Sequence, residues 1–102
     1  MRQVMVRYKV KPDQAARNEQ LVRAVYDELH RTGPAGFRYA TFQLDDGLTF
    51  IHLASNESGS EQSPLAALES FKRFQAGIAD RCDEPPVVMQ AREIGSFRAF
   101  DS

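Results

Sequence analysis

His52 is the residue of this chain best placed to handle a proton. It lies in the middle of a predicted strand, and imidazole, with an unperturbed pKa of about 6.5, suits proton transfer near neutral pH. A neutral imidazole there could take a phenolic or enolic proton, which would leave an anion that is electron-rich towards O₂. The alternative is a half-buried histidine bonded to Thr41 or to a backbone carbonyl. His30 ends a predicted surface helix, where a cation suits the helix dipole, and we interpret it as structural or solvated.

A set of aromatic and polar side chains could line a small-molecule cavity around His52. For the phenylalanines the alternative is core packing, because phenylalanine at helical spacing is normally buried. The candidate substrate-binding residues are Tyr8, Tyr39, Thr41, Phe71, Phe74 and Gln75.

The sequence predicts no metal site and no cofactor. The two histidines are far apart, no cysteine or carboxylate stands at ligand spacing from them, and there is no glycine-rich phosphate loop. Cys82 is the single cysteine, so an internal disulfide is excluded and a reducing, cytoplasmic location is expected. Thirteen basic and fourteen acidic residues give a net charge of −1, which argues against general binding to nucleic acid or to anionic membranes.

Hydrophobic periodicity predicts the elements of the first half of the chain. Gln3 to Val10 alternates between two faces, which is typical of a strand. From Asp13 to Arg31 an apolar stripe at helical spacing predicts a helix, and Gly33 followed by Pro34 predicts its end. The residues of the stripe are Leu21, Val22, Val25, Tyr26 and Leu29. The length of 102 residues favours one domain that spans the whole chain, 1–102.

A hairpin is predicted next, because an Asp-Gly pair separates two strand patterns. The strands are Phe37 to Leu44 and Leu48 to Ser55. A two-residue turn at Asp46 and Gly47 sets one register, in which Thr41 lies opposite His52 and Gln43 lies opposite Phe50. Tyr39 shares that face, and a longer loop would shift the pairing.

The second half of the chain predicts a loop, a helix and a strand. The polar segment 56–63 favours an exposed loop, after which Ser63 caps a helix with Pro64 at its first position. The residues of its buried stripe are Leu65, Leu68, Phe71, Phe74 and Ile78. The segment 83–86, Asp-Glu-Pro-Pro, is expected to end this part of the chain, and Val87 to Ile94 is the fourth strand, followed by a short tail.

The element order βαββαβ predicts an α+β, ferredoxin-like fold with one four-stranded antiparallel sheet and two helices on one face. Apolar residues occur on both faces of the middle strands, for example Phe50 on one face of the third strand and Ile51 and Leu53 on the other. Two helices cover one face only, so we expect a second copy of the chain to cover the other in a two-fold homodimer. The alternative is a monomer with scattered exposed apolar residues.

Three segments carry a resemblance to a known family. VMVRYKVKP (residues 4–12), LDDGLTFIHL (44–53) and LESFKRFQAGI (68–78) resemble the antibiotic-biosynthesis-monooxygenase-like group of dimeric α/β-barrel proteins. The resemblance implies a dimer whose two sheets form a barrel, with a small-molecule pocket between sheet and helices in each subunit. It implies that some members oxidise aromatic polyketides or quinols with O₂ and without metal or flavin, whereas others degrade haem.

The chain departs from the characterised branches of that group. Val6 stands where the haem-degrading branch has an asparagine, Gln75 stands where it has a histidine, and there is no tryptophan in the chain. The prediction is therefore a small-molecule-binding dimer from an uncharacterised branch, either a cofactor-independent monooxygenase for an electron-rich aromatic or quinol, or a non-catalytic ligand-binding or stress-related protein. A purely structural role, with the sheet face as a partner surface, is the third alternative.

Overall fold

The computed structural model of the chain describes residues 2–57 and 63–99, which form one antiparallel sheet with helices packed on one face. The sheet order is β2-β3-β1-β4. The strands are β1 (Arg2–Val10), β2 (Phe37–Gln43), β3 (Thr49–Asn56) and β4 (Cys82–Ala91). The helices are α1 (Ala15–Thr32), α2 (Glu69–Gln75) and α3 (Ile78–Arg81), and Pro12–Gln14 and Pro64–Ala67 form 3-10 turns. The predicted α+β, ferredoxin-like order is confirmed, with two short helices in place of the second helix.

The core lies between the helices and one face of the sheet. α1 contributes the apolar stripe that the sequence predicts, with Leu21, Val22 and Val25 buried against the sheet. Tyr8 and Val10 of β1 are 1% and 0% exposed, so β1, one of the two central strands, carries the most buried side chains of the sheet. The helix face of the sheet is therefore the face on which a buried polar group needs a partner.

The predicted hairpin register is confirmed, although the turn is longer than two residues. Thr41 pairs with His52 and Gln43 pairs with Phe50. β2 ends at Gln43 and β3 begins at Thr49, so residues 44–48 connect the two strands. The Asp46 carboxylate accepts the Leu48 and Thr49 amides, each at 2.8 Å. Each strand is one residue shorter at the loop than predicted, by Leu44 in β2 and by Leu48 in β3. Because the shortening is symmetric, the pairing of the remaining residues is unchanged.

The prediction of one continuous second helix is wrong. The chain is extended at Leu68 (φ −85°, ψ 131°) and left-handed at Gly77 (φ 78°), which separates the 3-10 turn, α2 and α3. The apolar stripe is nevertheless right, because Leu65, Leu68 and Phe74 are buried. The extended Leu68 places its own side chain in the core, and that burial outweighs the gain from a continuous helix.

The prediction that residues 83–86 precede the fourth strand is also wrong. β4 begins at Cys82 and ends at Ala91, so it contains both prolines and stops short of Ile94. β4 is an edge strand, and its pairing with β1 shifts between Arg7 and Lys9, next to the prolines. Proline lacks an N–H donor, and an edge strand with an irregular ladder tolerates that loss.

Of the predicted loop 56–63, Asn56 ends β3, and residues 58–62 lie outside the described part of the chain. The predicted tail is described to residue 99. Within the ranges that are described, no helix is long and apolar enough to cross a membrane.

The end of α1 depends on a left-handed glycine. Gly33 has φ 54° and donates its N–H to the Leu29 carbonyl at 2.8 Å, as the Gly-Pro signal predicts. We expect Gly33→Ala to lower the free energy of unfolding by about 1 kcal/mol, because a side chain strains a left-handed backbone. Urea denaturation measures the change. Gly95→Ala is the control, since Gly95 has no positive φ and open space around it, and an equal loss in both variants would contradict the explanation.

Candidate active site

His52 is buried against the helices and both of its ring nitrogens are hydrogen-bonded. It is 5% exposed and sits on β3, between β1 and β2, on the helix-covered face. Nε2 lies 2.8 Å from the Tyr8 hydroxyl, and Nδ1 lies 2.5 Å from the Tyr39 hydroxyl and 3.2 Å from Thr41 Oγ1. The predicted neighbours Tyr39 and Thr41 are therefore brought to His52 by the hairpin register, and Tyr8 joins them from β1.

On the Nε2 side, hydrogen bonds lead from His52 into the core and end at an arginine. The Asn18 amide Nδ2 of α1 donates to the Tyr8 hydroxyl at 2.9 Å, and Arg81 Nε donates to Asn18 Oδ1 at 3.3 Å. Arg81 is 7% exposed and also donates to the carbonyls of Phe74 (2.6 Å) and Ala76 (3.1 Å) at the end of α2. The buried Arg81 guanidinium thus joins α2 and α3 to α1, and through Asn18 it is connected to β1.

On the Nδ1 side, hydrogen bonds lead from His52 towards the protein surface. Thr41 Oγ1, one of the two groups bonded to Nδ1, lies 2.8 Å from the Tyr26 hydroxyl of α1. Tyr26 and Tyr39 stack, with ring centroids 5.3 Å apart. We call the linked side chains the His52 chain; in order they are Arg81, Asn18, Tyr8, His52, Thr41 and Tyr26, with Tyr39 as a side branch at Nδ1.

Burial sets the protonation state of the His52 chain. Desolvation lowers the pKa of His52 to about 4, so its imidazole is neutral at pH 7. Desolvation likewise raises the pKa of Tyr8 and of Tyr39 well above the usual value for a phenol, although a hydrogen bond from Asn18 opposes it at Tyr8. All three side chains are therefore neutral and exchange hydrogen bonds without carrying a charge.

A cleft opens beside the Tyr26 end of the His52 chain. Its volume is about 260 Å³, slightly below the range of about 300–1,000 Å³ typical of ligand pockets, which suits a compound with a single ring. Val22 and Phe50 supply apolar walls, and an Arg23–Glu19 ion pair of 2.8 Å lies at its edge. The lining residues are Glu19, Val22, Arg23, Tyr26, Thr41, Gln43 and Phe50.

The structure separates the predicted substrate-binding residues into two groups. Thr41 lines the cleft, and Tyr8 and Tyr39 reach it only through the His52 chain. Phe74 is 5% exposed and its ring lies 5.5 Å from the His52 ring, so it packs the core behind the histidine. Phe71 stacks on Phe74 at 5.9 Å, and Gln75 is exposed at the end of α2. His52 itself does not line the cleft.

Sequence reasoning missed three members of the His52 chain: Asn18, Tyr26 and Arg81. Asn18 had a usable signal, because it precedes Leu21, Val22 and Val25 at helical spacing and is 0% exposed. A polar residue on the apolar face of a helix needs a buried partner. Tyr26 was assigned to the same stripe as an apolar residue, whereas its hydroxyl carries the connection to Thr41.

In residues 2–57 and 63–99, no three His, Cys, Asp or Glu side chains are grouped so that they could hold a metal ion. The cleft combines apolar side chains with the hydroxyl-bearing Tyr26 and Thr41 and one ion pair, a lining that suits a small organic compound.

Comparisons with known proteins identify the fold. No protein-family model and no curated protein match the chain. Solved structures do match over most of its length. A Nitrosomonas europaea protein provisionally named antibiotic biosynthesis monooxygenase is 18% identical, with a TM-score of 0.75, over 93% of this chain and 100% of its own. A Bacteroides thetaiotaomicron protein with the same provisional name is 14% identical, with a TM-score of 0.72, over 91% and 89%.

A second Nitrosomonas europaea protein, described as of unknown function, is 18% identical, with a TM-score of 0.70, over 94% of this chain and 91% of its own. At these identities the likeness establishes a shared fold, and it agrees with the fold that the family resemblance predicted.

The lowered pKa of His52 predicts a loss of stability in acid. Between pH 6.5 and about 4 the unfolded chain binds a proton that the folded chain does not, so stability falls as the pH falls through this window. At 1.36 kcal/mol for each pH unit, the full effect is about 3 kcal/mol. Urea unfolding at a series of pH values measures it.

His52→Gln should reduce this pH dependence, whereas His30→Gln, which removes an exposed histidine, is the matched control. An unchanged pH dependence in His52→Gln would show that His52 is not buried in its neutral form.

Proposed function

We propose that the protein binds a small electron-rich aromatic compound, a phenol or a quinol, in the cleft beside Tyr26 and oxidises it with O₂ without a metal or flavin. The observation that supports this is the hydrogen-bonded connection from buried His52, through Thr41, to Tyr26 in the cleft lining. A ligand oxygen at the Tyr26 hydroxyl would be coupled through it to the imidazole.

The reaction needs no external reductant. A phenol with a hydrogen on the carbon para to its hydroxyl reacts with O₂ to give a para-quinone and water. One oxygen atom enters the ring, the other leaves as water, and all the electrons that O₂ takes come from the substrate. The phenol reacts as its anion, which gives up an electron more easily than the neutral form, so groups that favour the anion accelerate the reaction.

The cleft residues would divide the work between them. Phe50 and Val22 would hold the ring by apolar contact, while the Tyr26 hydroxyl meets the ligand oxygen. His52 would not contact the ligand, and would act through Thr41 on the hydrogen bond that meets the ligand oxygen. The monooxygenase names that proteins of this fold carry agree with such chemistry.

The alternative is a protein that binds the same class of compound without transforming it. One observation favours it: both nitrogens of His52 are already hydrogen-bonded inside the protein, so the imidazole offers no free lone pair to a ligand. Oxygen uptake with phenol and quinol substrates distinguishes the two. Saturable binding without uptake by any of them would establish the binding role.

Removing the connection between His52 and the cleft tests the proposed activity. We expect Thr41→Val to lower turnover by about 10²-fold or more, because the Thr41 hydroxyl links Tyr26 to His52. The oxygen-uptake rate is the measurement. Thr32→Val is the matched control, since the Thr32 hydroxyl bonds only within its own helix, to the Glu28 and Leu29 carbonyls. Equal rates in Thr41→Val and the wild type would contradict the proposed role of the His52 chain.

We also propose that the protein is a two-fold homodimer formed through the sheet face away from the helices. A row of apolar side chains crosses all four strands on that face, made of paired residues Ala40, Leu53, Met5 and Met89. Met5 and Met89 are 38% and 63% exposed. A second copy would cover this row with an identical row, which is the geometry of a closed two-fold pair.

A charge in that row should separate the subunits. Leu53→Lys is expected to weaken the dimer by about 100-fold or more, because burying an unpaired ammonium costs several kcal/mol. Sedimentation equilibrium measures the association. Gln20→Lys, which adds the same charge on the exposed side of α1, should leave it unchanged. A wild-type monomer at micromolar concentration would contradict the dimer.

A further inference from the structure

The His52 chain has a direction that is set at its buried end. Arg81 has only hydrogen-bond donors, so the Asn18 atom that faces its Nε must be the carbonyl oxygen Oδ1. The Asn18 amide nitrogen therefore faces Tyr8 and donates to the Tyr8 hydroxyl oxygen at 2.9 Å. This orientation follows from the chemistry of the guanidinium alone and leaves no choice for the amide.

The Tyr8 hydroxyl transmits that orientation to His52. Its oxygen accepts from Asn18, and its own proton needs an acceptor, because a buried O–H without one is costly. Asn18 Nδ2 is a donor only, which leaves His52 Nε2 at 2.8 Å as the acceptor among the partners that the described residues supply. Nε2 then carries the lone pair, and a neutral imidazole must carry its proton on Nδ1.

The direction of the hydrogen bonds continues from His52 Nδ1 towards the cleft. Nδ1–H faces the Tyr39 hydroxyl at 2.5 Å and Thr41 Oγ1 at 3.2 Å, and Thr41, which accepts there, donates to the Tyr26 hydroxyl oxygen at 2.8 Å. The Tyr8 and Thr41 hydroxyls then each accept one hydrogen bond and donate one, which satisfies both of them. The proton of Tyr26 remains, and Tyr26 lines the cleft.

We propose that Arg81 and Asn18 are positioning residues that lock His52 in its Nδ1–H form, so that the chain presents a hydrogen-bond donor to the cleft and selects a ligand with a negatively charged oxygen, such as a phenolate. This rests on the proposed function for the ligand class, whereas the protonation of the ring is a property of the protein alone. His52 then stabilises the substrate anion through Thr41 and Tyr26 instead of removing its proton directly, and the proton of the phenol goes to water as the anion binds.

Asn18→Asp should reverse the whole chain. The new carboxylate accepts from Arg81 and also from the Tyr8 O–H, and the guanidinium keeps it ionised. The Tyr8 oxygen is then free to accept from His52 Nε2–H, and Nδ1 becomes an acceptor. The Tyr26 hydroxyl then donates its proton inward to Thr41, and a lone pair of the Tyr26 oxygen faces the cleft. Gln20→Glu makes the same charge change on the exposed face of α1 and serves as the matched control.

Nitrogen-15 NMR of the imidazole at pH 7 tests the direction without any ligand. We expect Nδ1 to be protonated in the wild type and in Gln20→Glu, and Nε2 to be protonated in Asn18→Asp. A wild-type ring protonated on Nε2 would overturn the inference even if Asn18→Asp failed to fold. An Asn18→Asp ring still protonated on Nδ1 would overturn the role given to Asn18.

Binding of 4-nitrophenol tests the ligand class, because its anion absorbs visible light and its neutral form does not. We expect the wild type to bind the anion at least about 10-fold more tightly than the neutral phenol, as hydrogen bonds to a charged acceptor are the stronger ones, and Asn18→Asp to lose this preference. Preference for the neutral phenol in the wild type would overturn the inference. No binding of either form would instead contradict the proposed function and leave the NMR result to decide the direction.

Discussion

The hydrogen bond between Arg81 and Asn18 joins the two halves of the chain inside the core, across 63 positions of the sequence. Arg81 holds the last carbonyls of α2, while Asn18 carries the connection from α1 to Tyr8 on β1. Each of these groups is buried, and a buried polar group without a partner costs about 1–3 kcal/mol. This polar path through the core therefore helps to fix the helices, β1 and His52 relative to one another.

This path also explains how a histidine that is sealed in the core can influence a cleft at the surface. His52 is separated from the cleft by Tyr39 and Thr41, yet the hydrogen bonds between them are short and continuous as far as Tyr26. Low dielectric strengthens each bond and makes the orientation of one depend on the next. The site is thus a chain of hydrogen-bonded side chains that reaches the cleft at Tyr26, and His52 is one member of that chain.

The sequence predicted the parts of the site that depend on local pattern. The Asp-Gly signal gave the register, and the register alone places Thr41 opposite His52 with Tyr39 on the same face. It could not give the bond from Tyr8 to His52, because that bond depends on which strand becomes the neighbour of β3 on its other side. The same holds for Arg81, whose contact with Asn18 joins residues 63 positions apart.

The errors in the fold have the same origin. A continuous apolar stripe predicted one helix, and only the burial of Leu68 in an extended conformation reveals the break. The two prolines of the segment 83–86 argue against a strand in general, and they are tolerated because β4 lies at the sheet edge. In both cases the tertiary environment outweighs a local preference that is itself weak.

A crystal structure of the protein grown with 4-nitrophenol at neutral pH tests the central claim most directly. The account predicts that the probe lies in the cleft, with its phenolic oxygen within hydrogen-bonding distance of the Tyr26 hydroxyl and its ring against Phe50. A probe bound on the opposite face of the sheet, or in the cleft with its oxygen turned away from Tyr26, would contradict it.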